Sequence, residues 1–570
     1  MSDTQIKLSQ RGFEVDCPFW DNHRVKEAPD RKYSPTDKSW VISVNRANAE
    51  YIKETYEPAE IDKEAMRKVN ELCDTAPTSQ IWPEWFKFKN PPMKCQMEAL
   101  RKSFPMEEFA YIMDMGTGKS FTAINYGAAR CMVGDVTAML VICDTGGKPV
   151  WRKEFELHCP IDYDMYIMEA GMHKQAEAWM EKGTGKFKVL VCGVESLSTG
   201  PYAKQVAMSF VKKFATYMII DESSSIKNPT YKKKGRQSRT HVCWDLGAEA
   251  TCRAILNGTP IDEGVENFFA QFRFLNWAII GSKNFTLFKN RYCVLGGFEM
   301  RKIIGYNDLG SLFKRLKPYV YEVKITDVED MPDQVYETVY CVPTPEQNKA
   351  LAELGDPLMV TEQDDLVLQC ETVLERMTRY QQIVGGYFPY DLPEDEKQDL
   401  KVSDSKHGIV KMTGRNPKMD GLTDTLGKLA HGRKVVIWAR FAPERLDIVQ
   451  HMEDNHPDEY VHMGSGLTAD EKYDIMDRFQ TDPTIRYFVT SQQIASKAVT
   501  LTAATCSIYY SNTFSYSQRL QSERRTWRKG QKHPCLYIDI IMNTKIDKQI
   551  LEALKKKKSI SDYVMEKLAE

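Results

Sequence analysis

The chain has 570 residues, a formal net charge of −2 and 14 cysteines. That length exceeds the ~250–300 residues at which one hydrophobic core stops growing, so two large domains plus accessory pieces are expected. The near-zero charge excludes a histone-like or tail-driven binder, and cysteines with neither CxxC pairs nor Cys/His zinc spacing read as reduced thiols, not as a metal or disulfide framework.

Taken in chain order, MSDTQIKLSQRGFEVD carries no apolar leader, and no run reaches the ~20 apolar residues of a membrane span, so a soluble cytoplasmic protein is expected. From Gly12 to about Tyr56, FEVDCPF, a polar turn through APDRKYSPTDKS, WVISV and the helix-prone NRANAEYIKETYE predict a hairpin and a helix, a small α+β module within residues 1–80. Pro77, Pro83, Pro91 and Pro92 separate this module from the rest of the chain. Next come FAYIMDM, AMLVICD, FKVLVCG, ATYMIID and CRAILNG, alternating with amphipathic helices and each ending in small, polar or turn residues. This is the pattern of a parallel sheet with its ligand site at the strand carboxyl ends, and it defines a first α/β lobe over 81–262.

Residues 263–405 read as long, charged, mostly helical insertions and a linker, entered through NFFAQFRFLNW. KVVIWAR, YVHMG, YFVTS, CSIYYSN and CLYIDII predict a second parallel-sheet lobe over 406–550, with a C-terminal helix over 551–570. Charge is uneven: Lys227, Lys232, Lys233, Lys234, Arg236 and Arg239 cluster after a DE pair, whereas Glu362 to Asp399 is acidic. Each run is either a solvated face or a local binding surface.

Chemistry concentrates in three places. FAYIMDM runs into GTGKSFTAINYGAA, a strand, glycine turn and helix in which Gly116 and Gly118 let backbone N–H groups approach phosphate, Lys119 reaches the β and γ phosphates, and Ser120 can ligate magnesium. Met115 and Thr117 belong to the same loop, and Met113 stands where a strict phosphate-binding loop has glycine, which leaves a structural glycine turn as the alternative. After TYMIID, Asp221 and Glu222 suit a nucleotide-hydrolysing site, the first holding magnesium and the second positioning or deprotonating water; a helix N-terminal charge pair is the plainer alternative. In QSERRTWRKGQ, Arg525 and Arg528 lie three apart and so are expected on one helix face. They are either charge donors to a γ-phosphate or part of a basic surface helix.

These residues resemble the Swi/Snf-type DNA translocases of helicase superfamily two, in the same order from about Met93 to Lys548. Gln96 in KCQMEAL resembles the adenine-reading glutamine, GTGKS motif one, LVICDTGGKPVWRKEF with Trp151 and Glu154 the motif Ia block, and VLVCGVESLS the next DNA-facing strand end. DESSSIKN is similar to the magnesium and water motif, Asn257-Gly258-Thr259-Pro260 to motif three, and KVVIWARF, HMGS, SKAVTLTAA and QSERRTWRKGQ to motifs four to six. The resemblance implies two RecA-like lobes, with Gln521, Arg525 and Arg528 completing an ATP site. It also implies magnesium and a monomer that contacts phosphates of duplex or branched DNA without sequence specificity, through Gly146, Lys148, Ser196, Arg440, Ser465 and Ser491. Thr259 and Thr500 are the residues expected to couple DNA and ATP.

Departures are visible. Ser224 replaces a histidine, Ala498-Val499 a glycine-leucine, and Tyr321-Glu322-Val323-Lys324 lacks the family's arginine pair. FEVDCPFW, DRKYSPTDKSWVIS and the following helix resemble the HARP-type module found ahead of annealing helicases, as does Thr500 in place of asparagine. A generic hairpin cap on the first lobe is the alternative. The compact core with few insertions looks prokaryotic or viral, and places the protein in the cytoplasm of a bacterial or phage-infected cell. Strand separation, displacement of a protein from DNA, and a regulatory scaffold with a vestigial ATP site are the rival functions.

Overall fold

The computed structural model describes residues 4–9, 11–28, 31–35, 37–42, 44, 46–74, 82–230, 237–258, 264–296, 302–354, 361–363, 366–368, 373–391, 407–430, 432–495, 500–544 and 547–556. The chain divides into two units, with the break between Val328 and Glu329.

In the first unit, the N-terminal module is a four-stranded antiparallel sheet of β1 (Gln5–Ser9), β2 (Gly12–Asp16), β3 (Arg31–Ser34) and β4 (Ser39–Ile42), in the order β1-β2-β4-β3. Its core gathers Ile6, Phe13, Val15, Ile42, Ile52 and Val69. The sequence predicts a hairpin plus a helix here and reads the residues of β3 as a turn. β3 forms nevertheless, because RKYS pairs as an edge strand with β4 and needs no apolar alternation of its own.

The first lobe is a seven-stranded, wholly parallel sheet. Its strands are β5 (Glu108–Met113), β6 (Ala138–Cys143), β7 (Tyr163–Ile167), β8 (Phe187–Gly193), β9 (Thr216–Asp221) and β10 (Cys252–Asn257). A two-stranded hairpin of β11 (Cys293–Gly296) and β12 (Lys302–Tyr306) follows, and β13 (Val320–Val323) returns to the large sheet, giving the order β13-β5-β10-β9-β6-β8-β7. Continuous apolar runs make these strands because both sheet faces are covered: Ala138, Leu140 and Ile142 of β6 enter one core, and Met139, Val141 and Cys143 the other. Each fully buried leucine or isoleucine contributes about 1.5–3 kcal/mol.

The second unit holds a six-stranded parallel sheet. β14 (Gln334–Cys341) lies at one edge. After it come the short hairpins β15 (Thr361–Gln363) with β16 (Leu366–Leu368), and β17 (Tyr387–Asp391) with β18 (His407–Lys411). The sheet then completes with β19 (Val435–Trp438), β20 (Tyr460–His462), β21 (Tyr487–Thr490), β22 (Cys506–Tyr509) and β23 (Cys535–Met542), in the order β14-β23-β22-β19-β21-β20. Val435 and Ile437 face one core while Val436 and Trp438 face the other.

The stretch 263–405, expected as one block of helical insertions and linker, is therefore shared between the two sheets. β13 closes the edge of the first and β14 opens the second. Like β7, these are edge strands whose VYEV, QVYETVYC and YDMYI mix charge and tyrosine with apolar residues, so their hydropathy is too diluted to stand out. The C-terminal helix begins earlier than expected, covering 547–556 among the described residues; 557–570 lie outside them. Also outside are Lys232, Lys233, Lys234 and Arg236 of the basic cluster, Pro77, most of the acidic stretch between Asp364 and Asp399, and the coupling candidate Thr259 with Ala498 and Val499. No described helix is long and apolar enough to cross a membrane.

Candidate nucleotide site and arginine helix

In the first lobe, β10 lies between β5 and β9, so the loop after Met113 and the acids after Ile220 stand two strand spacings apart, about 10 Å. All three strands end on the same side. The loop turns on Gly116 (φ +90°) and Gly118 (φ +86°), both in the left-handed region that favours glycine. The helix Lys119–Met132 starts directly behind, aiming its unpaired N–H groups and positive dipole end at the loop. Inside the loop, Thr117 Oγ1 donates to the Asp114 carbonyl at 2.8 Å, and Lys119 Nζ donates to the Met113 carbonyl at 2.9 Å. Met115, Gly116 and Ser120 are half-buried at its mouth.

Gln96 sits beside this loop. Its Oε1 accepts from the Met93 amide at 2.9 Å and its Nε2 donates to the Thr117 carbonyl at 3.2 Å. A Cβ at Gly118 would fall 2.0 Å from that Nε2, so the glycine serves both the backbone angle and the approach of Gln96. Asp114, fully buried, ties the loop to the end of the lobe: its amide donates to the Val323 carbonyl at 3.0 Å and its Oδ2 accepts from the Ile325 amide at 3.1 Å.

The acids are held from several sides. Trp151 Nε1, on the helix Lys148–His158, donates to Asp221 Oδ2 at 3.0 Å, and the Glu222 amide donates to Asp221 Oδ1 at 3.0 Å. Burial and the neighbouring Glu222 carboxylate push the Asp221 carboxyl up to about 7, against the pull of nearby Lys119. Glu222 has φ +48° and ψ +62°, left-handed for a residue with a side chain. Behind it lies a buried polar cluster: Ser223 Oγ donates to Gln271 Oε1 at 2.6 Å, and Asn257 Nδ2 donates to Ser223 Oγ at 3.1 Å and to Gln271 Oε1 at 3.3 Å. A glycine cradle, a lysine and adjacent carboxylates fit a nucleoside triphosphate with a hard divalent cation, whose charge would relieve the crowding of Asp221 and Glu222.

In the second lobe, Gln521 and Arg525 lie on the helix Tyr516–Thr526, started by the Ser515 side chain, which accepts from the Gln518 amide. Arg525 and Arg528 do not share a helix face as expected. The helix ends at Thr526 and Trp527 leaves helical angles, so Arg528 stands in the turn leading to Gly530, at φ +92°. What binds the two arginines together is the segment around Thr500: Arg528 Nη1 donates to Thr500 Oγ1 at 3.1 Å, and the Leu501 amide donates to the Arg525 carbonyl at 2.9 Å. A third arginine, Arg519, has a different task. Buried over the Tyr509 ring, it pairs with Glu523 at 2.7 Å and with Asp539, and donates to Asn512 Oδ1 at 2.6 Å.

The expected DNA contacts separate into two groups. Gly146 is half-buried in the turn Thr145–Gly147, and Ser465 is exposed. Ser196 Oγ donates to the Gly193 carbonyl at 2.6 Å, and the buried Ser491 Oγ accepts from the Ile494 amide at 3.2 Å. Lys148 and Arg440 depart from expectation. Lys148 is buried, with its ammonium on the Met168 carbonyl at 2.9 Å and on Glu169 at 2.8 Å. The Arg440 guanidinium donates to Gln381 and lies between Phe441 and Phe514. Both cations are engaged in packing within their own lobe. Sequence reasoning missed Ser223, Gln271 and the Trp151 hydrogen bond; the one available signal was Gln271 itself, an uncharged polar residue amid the aromatic NFFAQFRFLNW.

Two family models match the chain. The SNF2-related domain matches residues 101–385 and the helicase conserved C-terminal domain matches 417–530. A Caenorhabditis elegans homolog of SWI/SNF-related matrix-associated actin-dependent regulator of chromatin subfamily A-like protein 1 is 24% identical over 537 residues, covering 89% of this chain and 68% of the relative. The human DNA excision repair protein ERCC-6 is 20% identical over 431 residues, covering 73% of this chain and 27% of ERCC-6. Among solved structures, the Sulfolobus solfataricus SWI2/SNF2 ATPase core in complex with dsDNA is 20% identical and covers 85% of this chain and 95% of its own, with a TM-score of 0.37. With the SNF2-related domain spanning half of its residues, and that match taking in the glycine loop and the Asp221-Glu222 pair, the chain belongs to the SNF2 family of DNA-dependent ATPases.

Proposed function

We propose that the protein hydrolyses ATP to track along duplex DNA. The observation that carries this reading is the half-buried acid pair Asp221-Glu222 at the end of β9, on the same side of the sheet as the left-handed glycine loop and Lys119. In this reading Lys119 neutralises the β and γ phosphates, Gln96 reads the base edge, Glu222 aligns water, and Arg525 and Arg528 answer the charge that develops on the γ-phosphate. Gln521 belongs with them. Ser120 and Asp221 would hold magnesium, which when bound would supply neutralisation of phosphate charge. Thr259 and Thr500 couple the DNA-facing edges to this chemistry. The hydrogen bond from Arg528 to Thr500 supports the second of these roles, since a shift at either residue is felt by the other.

Phosphate contacts are assigned to the backbone near Gly146 and to Ser196, Ser465 and Ser491, with Lys148 and Arg440 supporting them from within. Binding of this kind is indifferent to base sequence and falls steeply with salt. Tracking without strand separation is favoured over unwinding, and the protein works as a monomer in the cytoplasm of a prokaryotic or phage-infected cell.

The N-terminal module directs the motor to branched DNA, for annealing or fork remodelling. A groove of about 800 Å³ between the module and the first lobe supports this, with Lys26, Arg31 and Trp40 on one wall and Lys283, Arg291 and Arg315 on the other. Asp308 and Glu54 lie near Arg291 and Arg315, at 3.5 and 3.9 Å, and no described carboxylate lines the groove itself. Cations beside an aromatic ring suit phosphates with an unpaired base. ATPase rates with single-stranded, duplex and forked DNA test the whole reading. Stimulation by duplex with a further gain on forks is expected, and equal stimulation by forks and linear duplex, unchanged after deleting residues 1–80, would remove the branched-DNA role.

A further inference from the structure

Glu222, the residue assigned to the attacking water, holds a backbone conformation that a side chain normally avoids. Such a conformation persists only where the surroundings over-determine it. On its N-terminal side the tie is its own amide on Asp221 Oδ1. On its C-terminal side the Ser225 amide donates to the Glu222 carbonyl at 2.9 Å, and between them Ser223 is fastened by its hydroxyl. Ser223, Asn257 and Gln271 are each fully buried, and Gln271 Nε2 returns to the Asn267 carbonyl at 3.0 Å. The glutamine therefore accepts from Ser223 and Asn257 with one end of its amide and is anchored to its own helix by the other.

We propose that Gln271 is a positioning residue for ATP hydrolysis, holding Glu222 in its left-handed conformation through Ser223 and thereby joining the water-aligning acid to the helix Asn267–Asn276. This rests on Glu222 being the residue that aligns water. The physical reason lies in burial. A hydroxyl with no access to water has a narrow choice of acceptors, so the position of Oε1 fixes the Ser223 rotamer and with it the turn that carries Glu222. The same helix is fixed at its far end, where Asn276 Nδ2 donates to Glu108 Oε1 at 3.4 Å, and in its middle, where its Ala270 carbonyl accepts from Trp244 Nε1 at 3.0 Å. Gln271 thus passes the rigidity of a packed aromatic helix to an acid that heads only a single short 3-10 turn, Ser223–Ile226.

The test compares Gln271→Met, Ser223→Ala, the double variant and Glu222→Gln in the full-length protein, by duplex-stimulated ATPase kinetics, ATP affinity and melting temperature. Gln271→Met fills the same volume without the amide, and Ser223→Ala removes one oxygen, so the second stays decisive if the first does not fold. The expected result is a kcat reduced about 10- to 100-fold in each single variant, with KM and Kd for ATP within about twofold of wild type and the double variant no worse than the singles. Wild-type kcat in folded Ser223→Ala and Gln271→Met overturns the proposal, and so does a loss of ATP affinity in step with kcat. The Glu222→Gln arm separates the two readings. An inactive Glu222→Gln beside active Gln271→Met removes only the positioning role, whereas an active Glu222→Gln removes the role of Glu222 itself.

Discussion

The glycine-loop end of the first lobe and the arginine helix of the second carry opposite arrangements of charge. In the first lobe the loop is built from backbone: Gly116 and Gly118 supply angles, the helix behind them supplies N–H groups, and the lysine rests on the Met113 carbonyl. Asp221 stays crowded by burial and by Glu222, its carboxyl lifted to about 7. In the second lobe charge is neutralised internally before any is left to act. Arg519 is locked to Asp539 and Glu523 beneath Tyr509, and Arg525 and Arg528 come after that lock along the chain. Within one short segment Arg519 is a structural ion, while the proposed function assigns Arg525 and Arg528 to chemistry. Spacing alone does not tell them apart.

The largest effects should come from breaking the charge that the first lobe leaves available. Lys119→Ala is expected to lower ATP turnover by about 10³-fold or more while DNA binding, followed by fluorescence anisotropy, stays within about twofold. On the other side of the comparison, Arg525→Ala or Arg528→Ala should cost about 10³-fold in kcat with a stable fold, whereas Arg519→Met should act on stability. Removing one partner of its buried network leaves Asp539 and Glu523 uncompensated, at a cost of about 3–5 kcal/mol in the second lobe. Differential scanning calorimetry alongside ATPase assays separates the two behaviours. Were Arg519→Met to keep its melting temperature, the division between structural and chemical arginines would fail.

How much of the molecule is legible in its sequence depends on where the chemistry is written. Phosphate cradling is local backbone chemistry, so GTGKS after an apolar strand and DE after another point directly to the candidate site of the first lobe. The long central strands are equally plain, because burial on both faces makes them continuously apolar. Edge strands are not: β7, β13 and β14 carry charge and tyrosine on their open sides. Lys148 and Arg440 show a second limit, since a cation in a DNA-facing motif reads as a phosphate ligand until its partners are seen, and here those are Glu169, Gln381 and aromatic rings. Gln271 shows a third. Its partners lie 14 and 48 residues away in sequence and meet it only through the sheet.

The smallest effect sharpens the same comparison at the end of the first lobe. Glu322 stands on β13 with a buried Oε1 that has no hydrogen-bond partner among the described residues. Burial, with Asp327 and Asp114 nearby, pushes its carboxyl from the usual 4.5 up to about 7, against the opposing charge of Lys324. The folded lobe therefore favours the neutral form. Its contribution to stability is full below pH 4.5 and is lost as pH rises through about 7. With allowance for solvent screening, Glu322→Gln should raise the melting temperature by roughly 2–4 °C at about pH 8 and leave it unchanged at about pH 4.

The most direct measurement is the steady-state ATPase rate of the wild-type protein and of Lys119→Ala, each without nucleic acid, with a single strand, and with linear duplex. The account predicts slow basal turnover, a rise of about tenfold or more on duplex that the single strand does not match, and turnover by the variant lower by about 10³-fold or more under every condition. Hydrolysis that ignores duplex DNA, or that stays near the wild-type rate in Lys119→Ala, would contradict it.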